Sequence, residues 1–173
     1  MPMDVGGTIL TGIVSGIIAS MCFSLFLMLI KPKVRISDHI CAEEEDANDV
    51  VYRIKIVNLT FAMLTNLRYT LYYCKMHGDG ISTLTEIQPR KTPIISIDPF
   101  SLKKSNTDYA VRISYDIDPV KYPLNDKCKL QFTFIADHAL SSTTRCIKKE
   151  YYKDDIILGV FESAKSVKII RKH

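Results

Sequence analysis

Between Val5 and Ile30 the chain runs for 26 residues without a charge, and most of them are Ile, Leu, Val, Met and Phe. No other feature limits the fold as strongly. At about 1.5 Å of rise per residue, such a helix crosses a hydrocarbon core of roughly 30 Å with some tilt. A buried core helix rarely stays apolar on every face for that length. A cleaved signal peptide would start basic and end in a small-x-small site. Here the start reads "MPMD" and the far end reads "LMLIKPKVRISD". The expectation is a retained transmembrane helix, with residues 1–32 forming the helix and a basic neck.

Charge orients it. Lys31, Lys33 and Arg35 flank the C-terminal end, and Asp4 is the only charged side chain at the other. The positive-inside rule predicts a single-pass protein of the cell membrane, its N-terminus outside and residues 31–173 cytoplasmic. The neck cations would sit among anionic headgroups, each contributing on the order of 1 kcal/mol near such lipid. Pro32 prevents the helix from continuing with full hydrogen bonding. The five cysteines are odd in number, widely spaced and without a C-x-x-C pair, which suits reduced thiols. "NLT" at 58–60 fits a glycosylation acceptor, but its strand-like setting and predicted cytoplasmic side make it a chance match.

Thr8, Gly12, Gly16, Ser20 and Ser24 are small and four apart, and Gly12 and Gly16 make a G-x-x-x-G motif. Such a stripe lies on one helix face, and in lipid close approach of small residues drives association. Gly12, Gly16 and Ser20 are the predicted self-association face of a homo-oligomer.

After Lys33 the period changes to two. Leu67, Tyr69, Leu71 and Tyr73 alternate with Asn66, Arg68 and Thr70; Val111, Ile113 and Tyr115 alternate with Arg112 and Ser114. Cys128, Leu130, Phe132, Phe134 and Ala136 alternate with Lys129, Gln131, Thr133 and Asp137. Half-buried strands read this way. Polar punctuators at 43–49, 77–80, 88–93, 98–108 and 118–127 separate them. Residues 33–173 are therefore expected to form one antiparallel β-sandwich of about eight strands. Beyond the membrane segment no helix is expected, only a turn or two in "YKDDIILGVF".

No catalytic pattern emerges. The four histidines lack metal spacing, and neither a nucleophile elbow nor a phosphate-cradling loop is present. "AEEED" at 42–46 lacks the glycine of a calcium loop and reads as a solvated loop. Asp137-His138 has no nucleophile that sequence can name. The chain is expected not to be an enzyme and to need no cofactor or metal. Its basic clusters, Lys103/Lys104, Lys148/Lys149 and Lys168/Arg171/Lys172, are too short and too poor in interleaved aromatics for nucleic acid.

The strands also carry a resemblance. "KPKVRISDHI" leads into a strand with Arg53, Val57, Asn58 and Leu59, then a polar bend, then a strand with Arg68, Tyr69 and Leu71. Later "TTRCIKKEYYKDDIILGVF" places Thr144, Tyr151, Asp155, Ile156 and Gly159 in register with a second motif, with Phe161 one residue early. Both resemble the inward-rectifier potassium channels, from the inner helix into their cytoplasmic domain. The resemblance implies an immunoglobulin-like sandwich, a four-fold ring, and neck residues Lys31, Lys33 and Arg35 against anionic lipid. Lys148 falls near the Arg of the late motif, which makes Lys148 and Lys149 a candidate basic ligand site. This sequence holds one helix and no T-V-G-Y-G-type filter, so the resemblance implies the regulatory domain without the pore. Three functions fit: a module that binds a small signalling ligand or a protein partner, a membrane-perturbing effector such as one of bacterial defence, or an anchor for a partner protein.

Overall fold

The computed structural model describes residues 5–29, 32–46, 49–78, 81–91, 93–101, 107–125 and 127–171. The chain divides into two compact units, Met1–Lys31 and Pro32–His173. The first is the helix α1 (Val5–Leu29). Its stretch Ile9–Leu27 is long and apolar enough to cross a membrane. Side chains from Ile9 to Phe26 are exposed on every face.

The second unit is mainly β, as the alternation predicts, and its two sheets pack as a sandwich. Among the described residues it has ten strands: β1 (Val34–Ile36), β2 (Ile40–Asp46), β3 (Asp49–Asn58), β4 (Leu64–Met76), β5 (Ser82–Ile87), β6 (Ala110–Tyr115), β7 (Cys128–His138), β8 (Thr144–Tyr151), β9 (Ile156–Phe161) and β10 (Ile169–Arg171). One sheet orders β5-β4-β7-β8, antiparallel throughout. The other is built on β3. Tyr52 and Arg53 pair with β2 and with β6, and Ile56 and Val57 pair with β1 and with β6. So β1 and β2 share one edge of β3 and β6 takes the other. A break at Ser37–His39 separates β1 from β2, and Ser37 N–H still donates to Lys55 O at 2.8 Å. Then β9 joins β2 in parallel and β10 closes the edge. The parallel pair departs from the all-antiparallel expectation. It arises because the chain leaves β8 in one sheet and enters β9 in the other.

The inward row of β7 is Cys128, Leu130, Phe132, Phe134, Ala136 and His138, all buried. It meets Ile36, Ile40, Ile54 and Ile56 of the facing sheet, with Tyr115 and Tyr151 among the largest fully buried side chains. Each fully buried side chain of this size contributes roughly 1.5–3 kcal/mol. At Gly159 an added Cβ would come within 2.2 Å of Ile170 O, so a side chain there would push β10 off β9.

One expectation is corrected. Residues 42–46, "AEEED", are not a loop; they form the end of β2 and pair with β3, and of them Ala42 also pairs with β9. Glutamate has poor strand propensity, yet Glu43 and Glu45 share a face and both pair with Arg53 on β3. Cross-strand charge pairing overrides the local preference. The turn expected in "YKDDIILGVF" is the 3-10 segment Lys153–Asp155, and the rest of that stretch is β9.

Candidate functional site

Strand β8 alternates Arg145, Ile147, Lys149 and Tyr151 on one face. They stand opposite Ala136, Phe134, Phe132 and Leu130, the buried row of β7. A row so placed faces inward along most of its length, with Tyr151 buried, Ile147 and Lys149 half-buried and Arg145 exposed at the rim. Four apolar side chains would be expected there, and two are cations. Their partners explain it. Arg145 Nη1 donates to Pro32 O at 3.1 Å, Lys149 Nζ to Ile36 O at 3.4 Å and to Asp38 Oδ1 at 2.5 Å, and Tyr151 Oη to Ser37 O at 2.8 Å. One face of one strand thus grips the backbone of the neck over residues 32–37.

The neck is held on its other side by β3. Val34, Arg35 and Ile36 pair with Asn58, Val57 and Ile56, and Leu59 N–H donates to Lys33 O at 2.8 Å. Short strand β1 therefore lies between a backbone ladder and a row of side chains from the opposite sheet. Burial pushes the Tyr151 hydroxyl pKa up, so it stays a neutral donor. The Lys149 hydrogen bond holds the Asp38 carboxyl below the usual carboxylate range, against a smaller opposing effect of burial. Hydrogen bonds of this kind, several with a charged donor, are worth about 1–3 kcal/mol each when their acceptors are buried.

A second clamp acts at the level of Ser37. Lys55 is buried, and its Nζ donates to Ser163 O and, at 2.6 Å, to Ser166 O. Its ammonium also lies 5.3 Å from the Phe161 ring centroid, and Arg112 lies 5.7 Å from the same ring. Burial first, and then the Arg112 charge, lowers the Lys55 pKa to about 8. The segment after β9 is thereby tied to β3.

The far end of the sandwich has different chemistry. Arg90 reaches Glu45 Oε2 at 3.0 Å, Asp49 Oδ2 at 2.5 Å and Asp116 Oδ1 at 3.4 Å, bridging β2, β3 and the loop after β6. Two clefts of about 430 Å³ each open there and share Tyr52, Ile117 and Pro119. One is walled by Tyr122 and Lys153, the other by Asp116 and Asp118.

The predicted site residues fall as follows. Lys31 lies outside the described residues. Lys33 and Arg35 are exposed and two apart, on one face of the neck. Gly12, Gly16 and Ser20 line one groove of α1, with Ser15 and Ser20 hydroxyls turned back onto Gly12 O and Gly16 O. Lys148 and Lys149 do not form one site. Neighbouring strand residues face opposite ways, so Lys148 pairs with Glu150 on the outer face at 54% exposure while Lys149, at 24%, is spent on Asp38. Asn58 of "NLT" is fully buried with its side-chain amide bonded to Ala62 O and Asp98 O, so it is no glycosylation acceptor in this fold. Sequence reasoning missed Arg145, Asp38 and Lys55. The signal for the first lay in the row Arg145-x-Ile147-x-Lys149-x-Tyr151, too polar for a core face and too apolar for a solvent face.

No protein-family model matches the chain, and no curated protein matches it.

Proposed function

We propose that this is a single-pass membrane protein, N-terminus outside, whose cytoplasmic sandwich binds a ligand or partner and relays that event to the membrane helix through the neck. The observation that carries this reading is the clamp: Arg145, Lys149 and Tyr151 hold the backbone of Pro32, Ile36 and Ser37 from the sheet opposite β3. A neck that merely tethered two parts would need no such grip. The clefts at the far end are of a size that small ligands occupy. The resemblance to inward-rectifier regulatory domains supports the same division of labour, without a pore in this chain, and the immunoglobulin-like topology belongs to that resemblance. Lys33 and Arg35 meet anionic headgroups. The stripe Gly12, Gly16 and Ser20 assembles the helices into a homo-oligomer, a tetramer if the resemblance extends to assembly.

Mass measurement of the detergent-solubilised full chain tests the assembly. The wild type is expected above monomer mass, and Gly12→Leu/Gly16→Leu is expected to fall to it. A monomeric wild type contradicts the oligomer. Dye release from liposomes containing the wild type separates this reading from an effector that breaches the bilayer. Tight liposomes, with and without cell lysate, agree with a relay. Release on adding lysate would replace it by the effector reading.

A further inference from the structure

Two loops beside the neck hold apolar side chains in water by means of buried polar bonds. In the β3–β4 loop, Phe61 is 88% exposed. The turn that presents it is rigid. Asn58 Nδ2 donates to Ala62 O and to Asp98 O, each at 2.9 Å, and Asn58 Oδ1 accepts from Thr60 N–H at 2.9 Å and Thr60 Oγ1 at 2.6 Å. Asn58 and Thr60 are buried just before the bend, and Phe61 follows them into solvent. In the β7–β8 loop, Leu140 is 59% exposed. That turn is fixed by His138 Nδ1 against Ser141 Oγ at 2.8 Å, and by Ser142, at φ 50°, whose N–H donates to His138 O.

The loops adjoin each other and the point where the chain enters the sandwich. Ala139 N–H donates to Met63 O at 3.0 Å, and Met63 itself is 37% exposed. Leu59 N–H donates to Lys33 O, and Arg145 to Pro32 O. Single exposed apolar side chains are ordinary, and Val120 at the far end is 89% exposed. What distinguishes Phe61, Met63 and Leu140 is their neighbour. Only Ile30 and Lys31 separate α1 from Pro32, and an extended chain covers at most about 3.6 Å per residue. So short a link keeps Pro32 within a few residues of chain from a bilayer that holds α1, and exposed Lys33 and Arg35 are of the charge that anionic headgroups attract.

We propose that the rim around the neck docks on the bilayer surface, with Phe61 and Leu140 as apolar tips in the headgroup–acyl boundary. The inference rests on α1 spanning that bilayer. Docking fixes the sandwich against the lipid at points other than the neck, so a shift of the domain is felt by the clamped strand β1.

The chain contains no Trp, so one introduced Trp reports alone. Phe61→Trp, Leu140→Trp, Val120→Trp and Phe23→Trp are placed singly in the full chain and reconstituted in liposomes of phosphatidylcholine and phosphatidylglycerol, with or without acyl-brominated phosphatidylcholine. Trp at 61 and at 140 is expected to emit to the blue and to lose about half its emission with the brominated lipid, as for side chains ~5–10 Å into the boundary. Trp at 120 is expected to lose none, and Trp at 23 to be quenched as a membrane-core marker. Quenching at 23 but at neither 61 nor 140 overturns docking and leaves the spanning helix standing. Quenching at none of the four overturns both. Blue emission at 61 without quenching assigns the rim to a second copy or a protein partner instead. Leu140→Trp reads the same surface if Phe61→Trp does not fold.

Discussion

The two ends of the sandwich are held by opposite means. At the neck end the β3–β4 loop is fixed by a buried, uncharged amide, the Asn58 side chain, which makes four hydrogen bonds, and backbone bonds from Ser142 and Ala139 hold the β7–β8 turn. At the far end Arg90 joins Glu45, Asp49 and Asp116 at the surface, next to Arg53 with Glu43 and Glu45. Buried neutral bonds respond little to salt or pH, whereas exposed charge networks respond to both. The neck-end loop is thus held by bonds that salt leaves intact, and the end with the clefts by charge pairs that salt weakens. The proposed relay predicts this contrast between the cleft end and the neck end.

The contrast can be broken at several points. Asn58→Ala removes the polar centre of the neck-end loop and orphans the carbonyls of Ala62 and Asp98. It should lower unfolding free energy by about 3 kcal/mol in urea titrations, with little salt dependence. A loss that vanishes in high salt would erase the distinction between the ends. Arg90→Met should have a smaller effect, concentrated at the far end and shrinking as salt is raised. Hydrogen exchange should show faster opening of the β2–β3 hairpin while β1 stays protected.

A pH test is subtler. The Lys55 pKa falls from 10.5 to about 8 in the folded chain. Between those values the unfolded chain binds more protons, so stability should rise with pH across that window. The cost of burying the charged amine is fully present below it. Above pH 10 the sign reverses, because burial raises the Tyr115 and Tyr151 pKa values above the ordinary phenol value of 10.0 and only the unfolded chain ionises them readily. Urea midpoints should therefore peak near pH 10, and Lys55→Met should remove the rise while keeping the fall. A midpoint flat in the wild type across that window would show that Lys55 is not held as described.

Much of the fold was legible because burial imposes a period. The row from Cys128 to Ala136 lies inward as its alternation says, and α1 follows from an uncharged run that no small core could cover. What was not legible depends on contacts far apart in sequence. Glu43 and Glu45 read as loop until Arg53 is placed across from them. Lys149 reads as a free cation beside Lys148, but Asp38, 111 residues away, takes it. The parallel join of β2 to β9 leaves no local pattern. The candidate site suffers most from this, since the clamp consists of side chains bonded to main-chain carbonyls, and a carbonyl carries no sequence signature.

The central claim is that β8 holds the neck. Hydrogen exchange on the full chain in lipid nanodiscs measures this directly, comparing wild type with Arg145→Ala/Tyr151→Phe. The amides of residues 34–37 should exchange at least about tenfold faster in the variant, equivalent to ~1.4 kcal/mol of lost local protection, while β4 and β7 keep theirs. Unchanged protection at 34–37 in a folded variant would contradict the clamp, and with it the proposed relay from sandwich to helix.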